Sequence, residues 1–418
     1  MDQLFDMEIA ANRPIRRMGI GFLLFACLLG YVLRFAFLVE GSQQFSAELG
    51  DQQRYLAEAR NLLEHGTFAI SIDQGPTAFD GPGYAVFLVP FLRLFPEVYV
   101  GPAMAGQAVV SLLTAWLLAQ LTWRITQSIL AARIALLWWC IYPFSIFYSA
   151  FLLSETLYTA VLCASVFCAY GFMQNLTSRS AIVFGIVLGL TSLVRPTVNF
   201  CILFLFLAVL ISCWDRRKEA IRGLVMAGIA LAVVLIPWTA RNYAVFGRIL
   251  PGSTQAGRML FLANNPDNKT GYVVIPRDAV PPSPEFGETE LQYNERLGAL
   301  AKEFIRENPG QFVKLCLLRL IVFWWPMPVY EKFSSFPLVL LSLLTLLPLF
   351  GAALGGVVML KKKWKLLLPI LSVVLSTWLL HLVFGVSMRY RFPIESLLIP
   401  PAAYCLSDCI HRYRSGRM

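Results

Sequence analysis

Charge is scarce in this chain. Of its 418 residues only 14% are Asp, Glu, Lys or Arg, while 57% are hydrophobic. A soluble domain carries about 25% charged residues, so most of this chain requires lipid around it. Histidine is nearly missing: there are three, none at metal-ligand spacing from another, which gives no basis for a zinc site. No Gly-rich phosphate loop, Gly-x-Ser-x-Gly elbow or His-Glu-x-x-His pair occurs, which argues against P-loop NTPase, α/β-hydrolase and zincin chemistry. Cys27, Cys140, Cys163, Cys168, Cys201, Cys213, Cys316, Cys405 and Cys409 all fall in apolar segments. With none in a long polar loop there is no disulfide framework. Internal repeats, low-complexity tails and a separate soluble domain are also missing.

What is present is a series of apolar runs long enough to cross a bilayer as helices. They cover about 18–39, 98–123, 129–147, 149–173, 180–194, 197–214, 223–240, 336–360, 366–386 and 391–409. Residues 84–95 are too short to span, and 312–325 contain Lys314 and Arg319 and end at Pro326. The expectation is therefore one all-α polytopic membrane domain over 1–418, with ten to twelve spans. The run from Met18 to Val39 is too long for a signal-peptide core and lacks a small-residue cleavage pattern, so it reads as a retained first helix.

The net charge of +10 gathers between spans, at Arg13, Arg16 and Arg17, at Arg124 and Arg133, at Arg179, across 215–222, across 361–365 and at the C-terminal end. Ten crossings put all of these on the cytoplasmic side, together with both termini. This is topology-setting charge and not a nucleic-acid footprint. Two segments then face outward, 40–97 and 241–335. The Pro281–Pro284 run predicts irregular structure in the second, followed by an amphipathic helix over 288–308.

The outward segments hold the residues that could carry chemistry. Asp51, Arg54 and Tyr55 lie within about one helical turn directly after the first span. Tyr55, Leu56, Ala59, Leu62 and Leu63 recur at helical spacing, which predicts an amphipathic juxtamembrane helix with Asp51 at its start. The plain alternative for Asp51 is a helix cap. Asp80 lies in a Gly-Pro-Gly-Tyr turn that includes Tyr84 and launches an apolar element. It is a second candidate carboxylate, against the simpler reading of a solvated turn acid. Glu155, Arg195 and Arg241 lie at the outer ends of spans, where ionisable groups are costly and often functional. Long Arg side chains also snorkel there without further purpose, a reading less suited to the short Glu155. Arg389 and Arg391 add two outer cations. Several arginines converging on one face could clamp a phosphate.

In this order the segments resemble the GT-C superfamily of polytopic glycosyltransferases, in the branch of the aminoarabinose transferases and protein O-mannosyltransferases. The resemblance is sharpest in Asp51-Gln-Gln-Arg-Tyr55 and its continuation to Gly66. Pro82-Gly-Tyr84, Ser154-Glu155, Arg195-Pro196 and Pro237-Trp-x-x-Arg-Asn242 are similar to further landmarks of the branch. The resemblance implies a sugar donor carried on a polyprenyl phosphate. It also implies inverting transfer to an envelope acceptor (lipid, glycan or protein) at the outer face of a bacterial plasma membrane. Asp51 would be the general base, with Arg54 and Tyr55 shaping the donor site. The branch's aminoarabinose transferases commonly carry a Lys before the turn proline as a phosphate contact. Here that position is Gly81, so Arg195, Arg241, Arg258 and Arg391 become the candidates, and the sugar stays open. No cofactor is expected, and dependence on a divalent metal is left open because no Asp-x-Asp pair occurs. The competing expectation is a transporter or flippase for a lipid-linked or anionic solute, which would show repeats and broken helices near the midplane. A polytopic envelope-polymer polymerase or ligase would instead place its large outer loop late in the chain.

Overall fold

The computed structural model describes residues 18–40, 50–273, 282–327 and 335–416. Arg13, Arg16, Arg17 and Pro281 lie outside the described residues, so their assigned roles rest on the sequence alone. Sixteen α-helices follow one another among the described residues. No strand occurs there beyond an isolated parallel bridge between Tyr272 and Val386.

The helices are α1 (Ile20–Glu40), α2 (Gly50–His65), α3 (Pro82–Leu94), α4 (Val100–Thr126), α5 (Ile129–Ile141) and α6 (Pro143–Ser149). Then come α7 (Glu155–Asn175), α8 (Ser178–Val194), α9 (Val198–Ser212), α10 (Arg217–Phe246) and α11 (Ala256–Ala263). The last five are α12 (Glu290–Glu307), α13 (Pro309–Val322), α14 (Phe336–Met359), α15 (Trp364–Phe384) and α16 (Met388–Arg414).

Nine of the ten predicted spans each fall on one of these helices, and the run 129–147 is broken into α5 and α6. Fewer than ten are long and apolar enough by themselves: six qualify, or seven when α5 and α6 are taken as one span bent by 49°. The shortfall has a local cause. Helix α8 has 17 residues and α9 has 15, because Pro196 divides what would be one long run. Helix α16 has 27 residues but carries three internal prolines together with Arg389, Arg391 and Glu395. Residues 84–95 and 312–325, read as non-crossing pieces, form the short helices α3 and α13.

Proline sets several of these boundaries. A residue before proline is driven out of the helical region, and Tyr142 before Pro143 sits at φ −66°, ψ 117°, where the chain bends. Arg195 before Pro196 is extended at φ −143°, ψ 108° and ends α8. Gly81 before Pro82 is extended at φ −73°, ψ 147°, and Pro82 opens α3.

Small residues let the spans approach closely, as expected where lipid removes the hydrophobic drive between helices. A Cβ on Gly185 of α8 would collide with the carbonyl oxygen of Ala227 in α10, and one on Gly356 of α14 with that of Pro401 in α16. Buried polar groups join the elements as well. Arg34 of α1 is 2% exposed. It donates to the carbonyls of Gly30 and Cys140 at 2.9 Å and to the hydroxyls of Ser111 and Ser145 at 2.9 and 2.7 Å. The two terminal nitrogens of one cation are thereby bonded by α1, α4, α5 and α6 without a carboxylate, while its Nε has no hydrogen-bond partner. The outer face of α1 is apolar, with Leu24, Leu28 and Phe35 more than half exposed, as a lipid-facing surface requires.

The expected amphipathic helix in the second outer segment is α12. Thr289 caps it by accepting from the Gln292 backbone, while Gln292 answers with its side chain, a reciprocal capping box. Glu290 in its first turn accepts from the Ala78 backbone at 3.1 Å and from the Thr77 and Thr254 hydroxyls. It joins the first outer segment to the second. Gly185→Val and Gly356→Val are each expected to lower stability by about 1–3 kcal/mol through overpacking. Gly351→Val, on the same helix as Gly356 but facing open space, is expected to melt like wild type in a detergent thermal scan.

Candidate functional site

The site is built on α2. Gln52 accepts from the Leu152 backbone at 2.8 Å. Tyr55 shares a hydrogen bond with Ser154 at 3.1 Å and meets the Tyr84 ring edge-on at 4.9 Å. These buried contacts fix the inner side of α2 to the segment before α7. Asp51 and Arg54 are thereby turned toward a cavity of about 420 Å³.

Two walls of this cavity differ in chemistry. Val194, Phe200, Leu380 and Phe384 give an apolar wall from the spans α8, α9 and α15. The same cavity is lined by Asp51, Arg54, Asp80, Arg195, Arg258 and Arg389. Their ion pairs run in a chain. Arg54 donates to Asp80 at 2.5 Å and to Asp51 at 2.8 Å. Arg389 donates to the other oxygen of Asp51 at 2.6 Å and to Glu155 at 2.6 Å. Arg195 reaches the same Glu155 oxygen at 2.8 Å and the Ser154 hydroxyl at 2.9 Å. Gln255 donates to the second oxygen of Asp80 at 2.7 Å.

Four guanidiniums thus meet three carboxylates, counting Glu155, which is fully buried behind the wall. The cation left over is Arg258. It has no carboxylate partner among the described residues, and its guanidinium lies 5.6 Å from the Phe79 ring. Its position is set from outside the cavity. The Arg258 backbone donates to Asn294 at 3.1 Å. Gly257 also lies so close to α12 that a Cβ there would strike the Asn294 carbonyl.

The carboxyls of the first outer segment are pushed apart. Burial opposes ionisation of Asp51, but the Arg389 and Arg54 guanidiniums outweigh it and hold the group down at about 2. Burial raises Asp80 more than Arg54 lowers it. Glu58, one turn beyond Arg54, is fully buried and neither of its oxygens has a hydrogen-bond partner. Burial, with the neighbouring Asp80 carboxylate adding to it, pushes Glu58 up to about 9. It is a neutral acid at pH 7. Burial likewise raises the Tyr55 phenol.

The other candidates from the sequence stand apart from this cavity. Arg241 donates to the carbonyls of Thr77 at 2.7 Å and Phe68 at 2.9 Å, which ties α10 to the first outer segment. Arg391 is 1% exposed. It is spent on Glu395 at 2.6 Å and on the carbonyls of Phe323 and Trp325 at 2.7 and 2.8 Å. Both were read as phosphate contacts because they lie near span ends, a signal that does not separate a free cation from one consumed by backbone carbonyls. Tyr84 is also fully buried and donates to Gln107 at 2.8 Å, so it supports Tyr55 from behind. Gln255 and His381 line the site and are not among the residues the sequence singles out. His381 had a signal: it is a polar, ionisable residue inside an apolar run. Gln255 had none.

Gly81 has a packing reason. A Cβ there would collide with the Leu193 carbonyl at the end of α8, so a long side chain before Pro82 is excluded in this chain.

Fold and site together define a polytopic helical membrane protein with a cavity lined by both charged and apolar side chains. No protein-family model matches the chain, and no curated protein matches it in sequence. Solved structures do match it in fold. The chain is similar to the archaeal oligosaccharyltransferase AglB from Archaeoglobus fulgidus, in complex with an inhibitory peptide and a dolichol-phosphate, at a TM-score of 0.58 and 16% identity. The match covers 95% of this chain and 51% of that one, so the chain spans about half the length of that structure. The Archaeoglobus fulgidus oligosaccharyltransferase in complex with Zn and sulfate matches at a TM-score of 0.55 and 14% identity, over 94% of this chain and 50% of that one. ArnT from Cupriavidus metallidurans bound to undecaprenyl phosphate aligns at a TM-score of 0.46 and 14% identity, over 93% of this chain and 79% of that one.

A divalent cation fits the described residues poorly. Both cavity carboxylates are already matched by guanidiniums, and no three His, Cys, Asp or Glu side chains gather as a ligand group among the described residues. No step below is routed through one.

Glu58 supplies a prediction. Its folded value near 9 lies well above the usual carboxyl value of about 4.3. Between the two the unfolded chain gives up a proton that the folded chain keeps, so Glu58 makes stability fall as pH rises from about 5 to about 9. Glu58→Gln is expected to melt above wild type by a margin that widens across that range. A margin independent of pH in detergent melts at pH 5, 7 and 9 would count against this account.

Proposed function

We propose that this protein is a membrane glycosyltransferase that moves a sugar from a polyprenyl-phosphate-linked donor to an envelope acceptor at the outer face of a bacterial plasma membrane. The observation that carries the reading is the charge census of the cavity. Three carboxylates are matched by guanidiniums, and one guanidinium, Arg258, is left over beside an apolar wall. A sugar joined to a polyprenyl phosphate is a phosphodiester with a single negative charge and a long apolar tail. It complements that census in both respects. The oligosaccharyltransferase of similar fold is in complex with a dolichol-phosphate, a phosphomonoester of the kind such a donor would release as its leaving group.

The reaction is a single displacement. The acceptor hydroxyl gives its proton to Asp51 as its oxygen bonds to the anomeric carbon. The bond from that carbon to the phosphate oxygen breaks, and the electron pair leaves with the phosphate. One displacement inverts the anomeric centre, and no covalent sugar–protein intermediate is needed. The phosphate goes from one negative charge toward two, and Arg258, Arg389 and Arg54 stabilise the charge that develops. Held near 2 by its two guanidiniums, Asp51 is a poor base. A donor phosphate draws Arg54 and Arg389 toward itself, which relaxes their hold and raises the proton affinity of Asp51. Asp80, kept in place by Arg54 and Gln255, anchors Arg54 during that exchange.

The test uses purified full-length protein in lipid nanodiscs, a panel of radiolabelled polyprenyl-phosphate sugars, and envelope extract as acceptor. Asp51→Asn is expected to bind donor within a few-fold of wild type while transfer falls by about 10²–10⁴. Arg258→Ala is expected to weaken donor binding by roughly tenfold or more, as loss of a hydrogen bond to a charged group does. Transfer by Asp51→Asn at the wild-type rate would remove the base assignment. Movement of intact donor across liposome membranes without sugar transfer would put the flippase reading in its place.

A further inference from the structure

His381 is the one histidine that lines the cavity, and nothing in the reaction above uses it. Its position follows from helix geometry. Thr377, Leu380, His381 and Phe384 of α15 all line the cavity, at spacings that place them on one helical face. The ring is held on two sides. Tyr390 stacks on it at 4.7 Å between centroids with planes 10° apart, and Phe323 stacks at 6.0 Å and 23°.

The third restraint decides the chemistry. Nδ1 lies 2.9 Å from the carbonyl oxygen of Gly385. A carbonyl oxygen only accepts, so Nδ1 carries the hydrogen and donates it. In the neutral ring Nε2 is then an acceptor with a free lone pair. The carbonyl that sets this tautomer is itself rigid. Gly385 ends α15 at φ +78°, a conformation that favours glycine, and a Cβ there would press on Val273 and Ala263. Val386, the next residue, donates to Gly271 at 3.3 Å and accepts from Val273 at 2.9 Å. The last carbonyls of the helix are satisfied nearby, Leu382 by Arg319 at 2.8 Å and Val383 by Asn264 at 2.8 Å. Nothing in this turn needs the second histidine nitrogen.

We propose that His381 is a substrate-binding residue whose Nε2 accepts a hydrogen bond from a sugar hydroxyl in the cavity. A hydroxyl is the group that fits, because a fixed neutral acceptor repels phosphate oxygens and pairs with an O–H donor. The phosphate belongs at the arginines, and the hydroxyl-bearing part of the substrate belongs at His381, beside Thr377 and the Tyr390 ring. This placement rests on the glycosyltransferase reading. The hydroxyl belongs either to the donor sugar or to a carbohydrate acceptor.

Two variants separate the nitrogens. In His381→Asn the shorter amide keeps a donor near Nδ1 for the Gly385 carbonyl and removes the acceptor at Nε2. In His381→Gln the longer amide returns an acceptor near the Nε2 position. Binding of a polyprenyl-phosphate sugar and of the bare polyprenyl phosphate would be measured in nanodiscs, with the acceptor KM and a thermal melt alongside. If the hydroxyl is the donor's, His381→Asn binds the sugar-bearing donor roughly 3–10-fold more weakly, as for one neutral hydrogen bond. It binds the bare phosphate like wild type, and His381→Gln recovers much of the loss. If the hydroxyl is the acceptor's, donor affinity is unchanged and the acceptor KM rises by that factor. The proposal is overturned if neither variant changes any of these values. It is overturned equally if sugar-bearing and bare ligands weaken together in step with a lowered melting temperature, which marks a structural role. Failure of wild type to bind either ligand would count against the glycosyltransferase reading instead, since that outcome does not depend on His381.

Discussion

One buried carboxylate organises the cavity end of this molecule. Glu155 is fully enclosed at the first turn of α7, and a single oxygen receives both Arg195 and Arg389 while the other has no partner. An ionised group so placed is tolerated only when opposite charge comes to it. The chain must therefore bring the end of α8 and the start of α16 to the same point. Arg389 then reaches onward to Asp51 and so docks α2. The arrangement of the cavity follows from the need to neutralise Glu155, with Arg54 and Asp80 extending the same alternation of charge.

Proline supplies the geometry that lets these charges meet. A span that continued smoothly past Val194 would carry the next residue around the helix axis. The extended Arg195 before Pro196 instead leaves the axis and points its guanidinium at Ser154 and Glu155. Gly81 and Pro82 do the same for Asp80 at the opening of α3. These two breaks pack against each other, which is why position 81 is glycine and why the cation expected there by resemblance is missing. Arg258 lines the cavity without a carboxylate partner among the described residues, held in place by the tight approach of α11 to α12.

The cavity is consequently amphiphilic by construction. Its apolar wall is the ordinary lipid-compatible surface of α8, α9 and α15. Its polar wall comes from the juxtamembrane elements that the charge network holds down.

The sequence by itself determined the class of the molecule and most of its helices. Scarce charge and long apolar runs permit only a helical membrane body, and the spacing of Asp51, Arg54 and Tyr55 on one turn survives folding because it is local. The helical spacing of α12 and the shortness of α3 were legible for the same reason. Tertiary structure decided which cations are free. Arg241, Arg258 and Arg391 look alike along the chain, yet two are consumed by carbonyls or by Glu395 and only Arg258 faces the cavity without a carboxylate. It also decided that Asp51 is clamped, that Glu58 is neutral and that His381 faces the cavity. Each of these depends on partners far away in sequence, and burial and charge pairing are properties of the three-dimensional surroundings and not of the residue.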